Sequence, residues 1–297
     1  MLLGLTSLEI SEYVILGVGA VMLLAVIAVV SYRRSWSEYL RLPEPIEHGF
    51  TPADLFACLV ALLFVLPLLL QTVSRWLGGA PPPVTQAASG PAAEVLPGFS
   101  QLLIQLADYL VTSAVILGLA RLRVPGGLAG WGLQTRALGG RIAGAVGIFL
   151  VCWPVCFGVL LLTQTLFGLL DPSYTPQEHM ALQELRSSAV SVSQKALTAM
   201  LAVVLAPLAE EMLFRGFLQP TLARWCRDQW PAVLVSGFLF GLMHDAVPDT
   251  VPALVLFGIA LGYVYARTRS LTLVILVHAV FNAKNVVSAF LAGPLTS

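Results

Sequence analysis

Glu210 and Glu211 stand side by side near the middle of a long apolar stretch, Ala196 to Leu222, and open the run Glu210-Glu211-Met212-Leu213-Phe214-Arg215. An ionised carboxylate in hydrocarbon costs several kcal/mol, so a chain keeps one there only when it is paired, neutralised or used. Two adjacent carboxylates, with an arginine four residues after the second, read as a built polar site. Two further apolar segments carry His244, in Phe240-Gly241-Leu242-Met243-His244, and His278, in His278-Ala279-Val280-Phe281-Asn282.

On a helix, residues four apart share a face, so Glu211 is expected to meet Arg215. The simplest role for that pair is structural, the guanidinium keeping the carboxylate ionised and fixing the helix against its neighbours. Glu210 points about 100° away. It is the candidate general base, because a partly desolvated carboxylate can take a proton from water near neutral pH. His278 and Asn282 also share a face. A lone intramembrane histidine reads as a packing or helix–helix hydrogen-bonding residue. Two histidines, an asparagine and a Glu-Glu pair on separate spans instead predict a shared catalytic or ion site, with the side chains converging on one cavity.

These residue types suit hydrolysis of an amide bond. A carboxylate with a neutral histidine polarises a water, while a histidine and an asparagine amide donate to the oxyanion that forms on the carbonyl. Glu210, His244 and His278 could alternatively ligate zinc, because two histidines and a glutamate with one open position form a known catalytic set. The HExxH spacing of most soluble zinc proteases is absent, and no GxSxG supports a serine or cysteine nucleophile.

The elements that must hold this site are membrane helices. The chain has 297 residues, of which 58% are hydrophobic and 11% charged, where a soluble domain carries about 25% charged residues. Sixteen basic and sixteen acidic residues cancel, so nucleic acid, which needs a basic surface, is not expected as a partner. Cys58, Cys152, Cys156 and Cys226 form no CxxC, so neither a zinc knuckle nor a redox pair is suggested, and Cys152 and Cys156, on one helix face, read as apolar packing. Apolar segments of spanning length predict an all-α polytopic membrane protein with eight helices, at about 13–31, 53–71, 102–120, 142–170, 196–222, 231–247, 251–267 and 271–291. The fourth is overlong and contains Pro154; the sixth and seventh are joined by a tight turn at Pro248-Asp249-Thr250.

Acidic residues precede the first apolar run and Arg33-Arg34 follow it, the reverse of a cleavable signal, so it is expected as a retained helix with its N-terminus outside. The inner loops then hold eleven arginines, at 33, 34, 41, 121, 123, 136, 141, 224, 227, 267 and 269. The outer loops hold Arg75, Arg186 and Lys195, while Arg215 and Lys284 fall within segments. The bias places both termini on the non-cytoplasmic side of the plasma membrane. Residues 72–101, rich in Gly, Pro, Ala and Ser, predict a flexible outer loop. Residues 171–195 mix polar and apolar positions around Gln177–Leu185, as an interfacial helix would, whether as connector or substrate gate. The halves show no repeat of the kind found in inverted-repeat transporters.

The three runs together resemble the CPBP family of CAAX prenyl proteases and bacteriocin-processing enzymes, whose motifs are EExxxR, FxxxH and HxxxN in that order on separate helices. Gly216 after the arginine and the basic turn Arg267-Thr268-Arg269 also match the resemblance. It covers about residues 195–290, which divides the chain into N-terminal helices and loops at 1–190 and a catalytic helical core at 191–297. The resemblance implies an intramembrane endopeptidase acting on peptide or protein substrates at the bilayer, with membrane lipid as its other partner. It implies that Glu210 and His244 activate water and that His278 and Asn282 stabilise the oxyanion, with Glu211 and Arg215 in support. It leaves open zinc or a metal-free mechanism. Two other readings compete: a proton- or ion-coupled transporter, and a non-catalytic immunity or scaffold member of the family. The transporter would carry polar groups through its full depth, whereas the first four spans are almost uncharged. A non-catalytic member would have lost a motif residue.

Overall fold

The computed structural model describes residues 7–33, 36–45, 48–76, 98–244 and 246–293. Among them the fold is all helical. α1 is Ser7–Tyr32 and α2 the short Trp36–Leu40. α3 runs through three consecutive stretches, Pro52–Val60, Ala61–Val65 and Leu66–Trp76. α4 is Phe99–Arg123, α5 the single turn Gly127–Gly130, and α6 Leu138–Leu170, with Pro154 inside it. α7 is Met180–Arg186, α8 Val192–Cys226, α9 Gln229–Leu242, α10 Val251–Thr268 and α11 Leu271–Ala292. The expected loop at 72–101 falls mostly on residues 77–97, outside the described residues; before it, α3 continues to Trp76.

Six helices among the described residues are long and apolar enough to cross a membrane: α1, α4, α6, α8, the stretch Pro248–Thr268 containing α10, and α11. The chain is an integral multi-pass membrane protein. The sequence pattern placed eight spans. Where the second was expected, α3 is one continuous helix from Pro52 to Trp76, widened at Ala61–Val65. α9 has only 14 residues, about 21 Å at 1.5 Å per residue against a hydrocarbon core of about 30 Å. It stops at Leu242, so His244 lies in the turn beyond the helix rather than within the expected span 231–247.

Proline explains the irregular turns. Three π-helical stretches occur, at Ala61–Val65, Leu201–Leu205 and Met212–Leu218. Each ends two residues before a proline, Pro67, Pro207 or Pro220. A proline ring clashes with the carbonyl four residues back and offers it no N–H, so the preceding turn widens. Glu210 and Glu211 end the α-helical stretch between the last two widened turns.

α9 and α10 pack backbone to backbone. A Cβ on Gly237 would lie 2.6 Å from the Ile259 nitrogen, one on Gly241 2.7 Å from the Val255 nitrogen, and one on Gly258 2.8 Å from the Gly237 carbonyl oxygen. Gly237 and Gly241, like Gly258 and Gly262, repeat at the small-xxx-small spacing that lets membrane helices approach this closely. α10 then binds α8 through its carbonyls: Arg215 donates to Gly258 O at 2.8 Å, and Gln219 to Gly262 O at 2.9 Å.

The N-terminal helices close around this core. Glu12 of α1 forms an ion pair with Lys284 of α11 and accepts from the Ser288 hydroxyl, while the Lys284 ammonium lies 4.0 Å from the Trp153 ring centre. One end of the bundle is crossed by residues 36–45 and 48–50, whose carbonyls accept from the last third of the chain. Arg267 donates to Arg41 O, Arg269 to Glu44 O, Arg224 to His48 O, Trp230 Nε1 to Leu40 O and Tyr263 to Tyr39 O. Gly49 N–H donates to Arg123 O on the same face. Six of the arginines counted toward the inner loops, at 41, 123, 141, 224, 267 and 269, thus share one end, Arg141 through Gln134, which binds Thr272 at the start of α11.

Candidate active site

The widened turns of α8 leave carbonyls that other elements complete. Ala206 N–H reaches back to Leu201 O, and Pro207 has no N–H, so the Ala202 carbonyl accepts from the Asn282 side chain at 2.8 Å. Near the second widening, the Gly216 carbonyl accepts from Trp131 Nε1 at 2.6 Å. The indole lies flat enough on the helix that a Cβ at Gly216 would sit 2.3 Å from it. That contact accounts for glycine after the motif arginine. Trp131 reaches this place from the end of α5, whose start at Gly126 and Gly127 and whose exit at Gly132 adopt positive φ of 76°, 60° and 92°, backbone that favours glycine.

Around Glu211 the polar groups form a chain. Glu211 and Arg215 are fully buried, and Arg215 Nη1 donates to Glu211 Oε1 at 2.9 Å. The same oxygen accepts from His278 Nδ1, also at 2.9 Å. An ionised carboxylate can only accept, so His278 carries its proton on Nδ1 and turns Nε2 toward Glu210. Nε2 and Glu210 Oε2 are 3.9 Å apart. The Glu210 side chain is 24% exposed, and its Oε2 has no hydrogen-bond partner among the described residues. Glu211 therefore supports Arg215, as expected, and also orients His278, which the sequence did not show.

Phe240 links the remaining parts. Its ring lies 4.5 Å from the Arg215 guanidinium carbon, 5.2 Å from the His244 ring and 5.5 Å from the His278 ring. The guanidinium over the ring face is a cation–π contact that offsets part of its desolvation. His244 donates from Nδ1 to the Phe240 carbonyl at 2.9 Å. The structure thus brings Glu210, Glu211, Arg215 and His278 into one constellation, sets His244 across Phe240 from it, and ties Asn282 to the Ala202 carbonyl one turn along α11. The resemblance pairs Glu210 with His244; the histidine at ion-pair distance from Glu210 is His278.

One polar residue missed by the sequence reading, Tyr109, approaches this site from α4, with Asp108 before it in the chain. Tyr109 lies within electrostatic range of Glu210 and Asp108, and its hydroxyl is hydrogen-bonded to Gln105. Asp108 Oδ1 is buried and lacks a hydrogen-bond partner among the described residues. The signal was legible: Gln101, Gln105, Asp108, Tyr109 and Thr112 recur three and four apart in an otherwise apolar span.

Among the described residues no three of His, Cys, Asp and Glu gather closely enough to hold a metal ion. Glu210 and His278 face each other while His244 lies across the Phe240 ring, so the three candidate zinc ligands form no such group.

The Type II CAAX prenyl endopeptidase Rce1-like family model matches residues 192–284, which contain all three motifs. An uncharacterized 24.3 kDa protein of Escherichia coli is 34% identical over 91 residues, 30% of this chain and 42% of that protein. The match thus spans less than half the length of this relative. No solved structure matches the chain.

Proposed function

We propose that the chain is an intramembrane endopeptidase of the CAAX prenyl protease type, hydrolysing peptide bonds of substrates presented at the bilayer. The observation that carries this reading is the 3.9 Å separation of Glu210 Oε2 and His278 Nε2. A water at about 2.8 Å from both subtends an angle of about 90°, close to its own bond angle, so it can donate one proton to each. Glu210 then takes a proton as the water oxygen attacks the scissile carbonyl, and delivers it to the departing amine. Glu211, held ionised by Arg215, keeps His278 in the tautomer that accepts from the water and stabilises positive charge that develops on the ring. The second N–H of the Asn282 amide is available to the oxyanion, since the first is bound to Ala202 O. His244 lies against the Phe240 ring and takes a supporting role in this reading. No step is routed through a metal.

The family match favours peptides carrying a prenylated cysteine near the C-terminus as first substrates to assay. Purified protein in liposomes, given quenched fluorescent peptides with and without the prenyl group, is expected to cleave them. Glu210→Gln is expected to lower turnover by about 10²–10⁴, the range for a lost general base, with an unchanged unfolding midpoint. Wild-type turnover by Glu210→Gln overturns the base assignment, and a wild-type protein that cleaves none of the peptides overturns the peptidase reading for this substrate class.

A further inference from the structure

At the end of the bundle crossed by residues 36–45 and 48–50, a cavity of about 660 Å³ opens between the ends of α4 and α8 and the residues after α2. Its lining includes Arg123, Arg224, Arg227 and Glu44, with Pro45 and Pro125 forming part of the wall. We propose that this cavity is a binding site for the phosphate headgroup of an anionic phospholipid.

Three observations carry the proposal. The first is charge. Arg123 lies 3.5 Å from Asp54 and Glu44 is the acidic lining residue, so the described groups leave three guanidiniums against two carboxylates. A headgroup of net charge minus one neutralises that surplus. The second is donor availability. Arg224 is anchored by one nitrogen to the His48 carbonyl, which leaves its other nitrogen for a ligand. Arg227, the residue that ends α8 in the left-handed conformation at φ 56°, has no ion-pair or hydrogen-bond partner among the described residues. Arginine nitrogens in a fixed fork suit the two free oxygens of a phosphodiester.

The third observation separates a lipid from a soluble phosphate. Leu122 and Trp225, next in the chain to Arg123 and Arg224, are 82% and 71% exposed. An exposed tryptophan at the end of a membrane helix is an interfacial anchor. The cavity therefore sits at headgroup level with apolar surface beside it for an acyl chain. Basic pockets between membrane helices on the arginine-rich side take anionic headgroups, and the volume lies within the range of about 300–1,000 Å³ for small-ligand sites. Arg224 and Arg227 belong to the helix that carries Glu210, so a bound headgroup would pin the end of that helix. The site does not depend on the peptidase reading.

The test is calorimetric titration of the purified full-length protein in a non-ionic detergent with short-chain phosphatidylglycerol, short-chain phosphatidylcholine and inorganic phosphate. Saturable binding of about one phosphatidylglycerol per chain is expected, weakening as salt rises, with no matching affinity for phosphatidylcholine. Arg227→Gln and Arg123→Gln are each expected to weaken it about fivefold, the effect of one arginine near an anionic headgroup. Both side chains are exposed at one end, so unfolding midpoints should stay near wild type. Equal affinity for phosphatidylcholine, or affinity unchanged in Arg227→Gln, overturns the proposal. Inorganic phosphate that saturates the site at the concentrations of the lipid overturns the lipid assignment and leaves a free-anion site.

Discussion

Glu211→Gln tests the centre of the constellation. In the wild type one carboxylate oxygen serves two donors, Arg215 Nη1 and His278 Nδ1, each at 2.9 Å, and neither Glu211 nor Arg215 is exposed to solvent. The substitution keeps an acceptor oxygen but removes the charge, leaving the guanidinium uncompensated in the interior. Breaking a buried pair from one side costs about 3–5 kcal/mol. At roughly 2–4 °C per kcal/mol, the unfolding midpoint should fall by about 6–20 °C. The double variant Glu211→Gln/Arg215→Met should recover most of that loss, because two desolvated charges leave together and methionine keeps contact with Phe240. Turnover should fall in both, since His278 loses the carboxylate that orients it. Thermal unfolding of wild type, Glu211→Gln, Arg215→Met and the double variant in one detergent gives the coupling energy, with peptide turnover measured alongside. A single variant within about 1 kcal/mol of wild type, or a double variant whose loss is the sum of the singles, would refute the reasoning.

Gly216→Ala drives a methyl group into the Trp131 indole, which lies 2.3 Å from where the Cβ would be; a loss of about 1–3 kcal/mol is expected by thermal unfolding, partly relieved by Trp131→Phe. Asn282→Ala should lower turnover by about 10²–10³ if its amide meets the oxyanion. It should also cost about 1–3 kcal/mol for the Ala202 carbonyl left without a donor, and the two effects separate when kcat is compared with the midpoint. His48, in the segment crossing the bundle end, has its imidazole held below the ordinary value, chiefly by burial, against which the Pro220 carbonyl raises it. Its neutral form is favoured on folding, so the contribution to stability is present above pH 6.5 and is lost as pH falls through the lowered folded value. Unfolding midpoints across that window should decline, and His48→Asn should flatten the decline.

Much of the site was legible along single helices. Glu211 and Arg215 meet because they are one turn apart, and the widened turns of α8 follow from Pro207 and Pro220. The arginines that share one bundle end were marked by their positions between apolar runs. These are local facts, encoded by spacing within a helix of known pitch. Which histidine meets Glu210 is not local. It depends on the register of α8 against α11, and on α9 stopping at Leu242, so that His244 falls across Phe240 from the ion-paired group. The second duty of Glu211, the approach of Tyr109 from α4 and the Trp131 indole on Gly216 likewise join residues far apart in the chain. Residues 36–45 left no pattern at all, because arginine, tryptophan and tyrosine side chains hold them by backbone carbonyls, which every residue carries. Helix pitch is a property of the peptide unit and can be read along the sequence. Contacts between helices rest on shape, on glycines that let backbones touch and on acceptors common to all residues, so only the packed fold decided them.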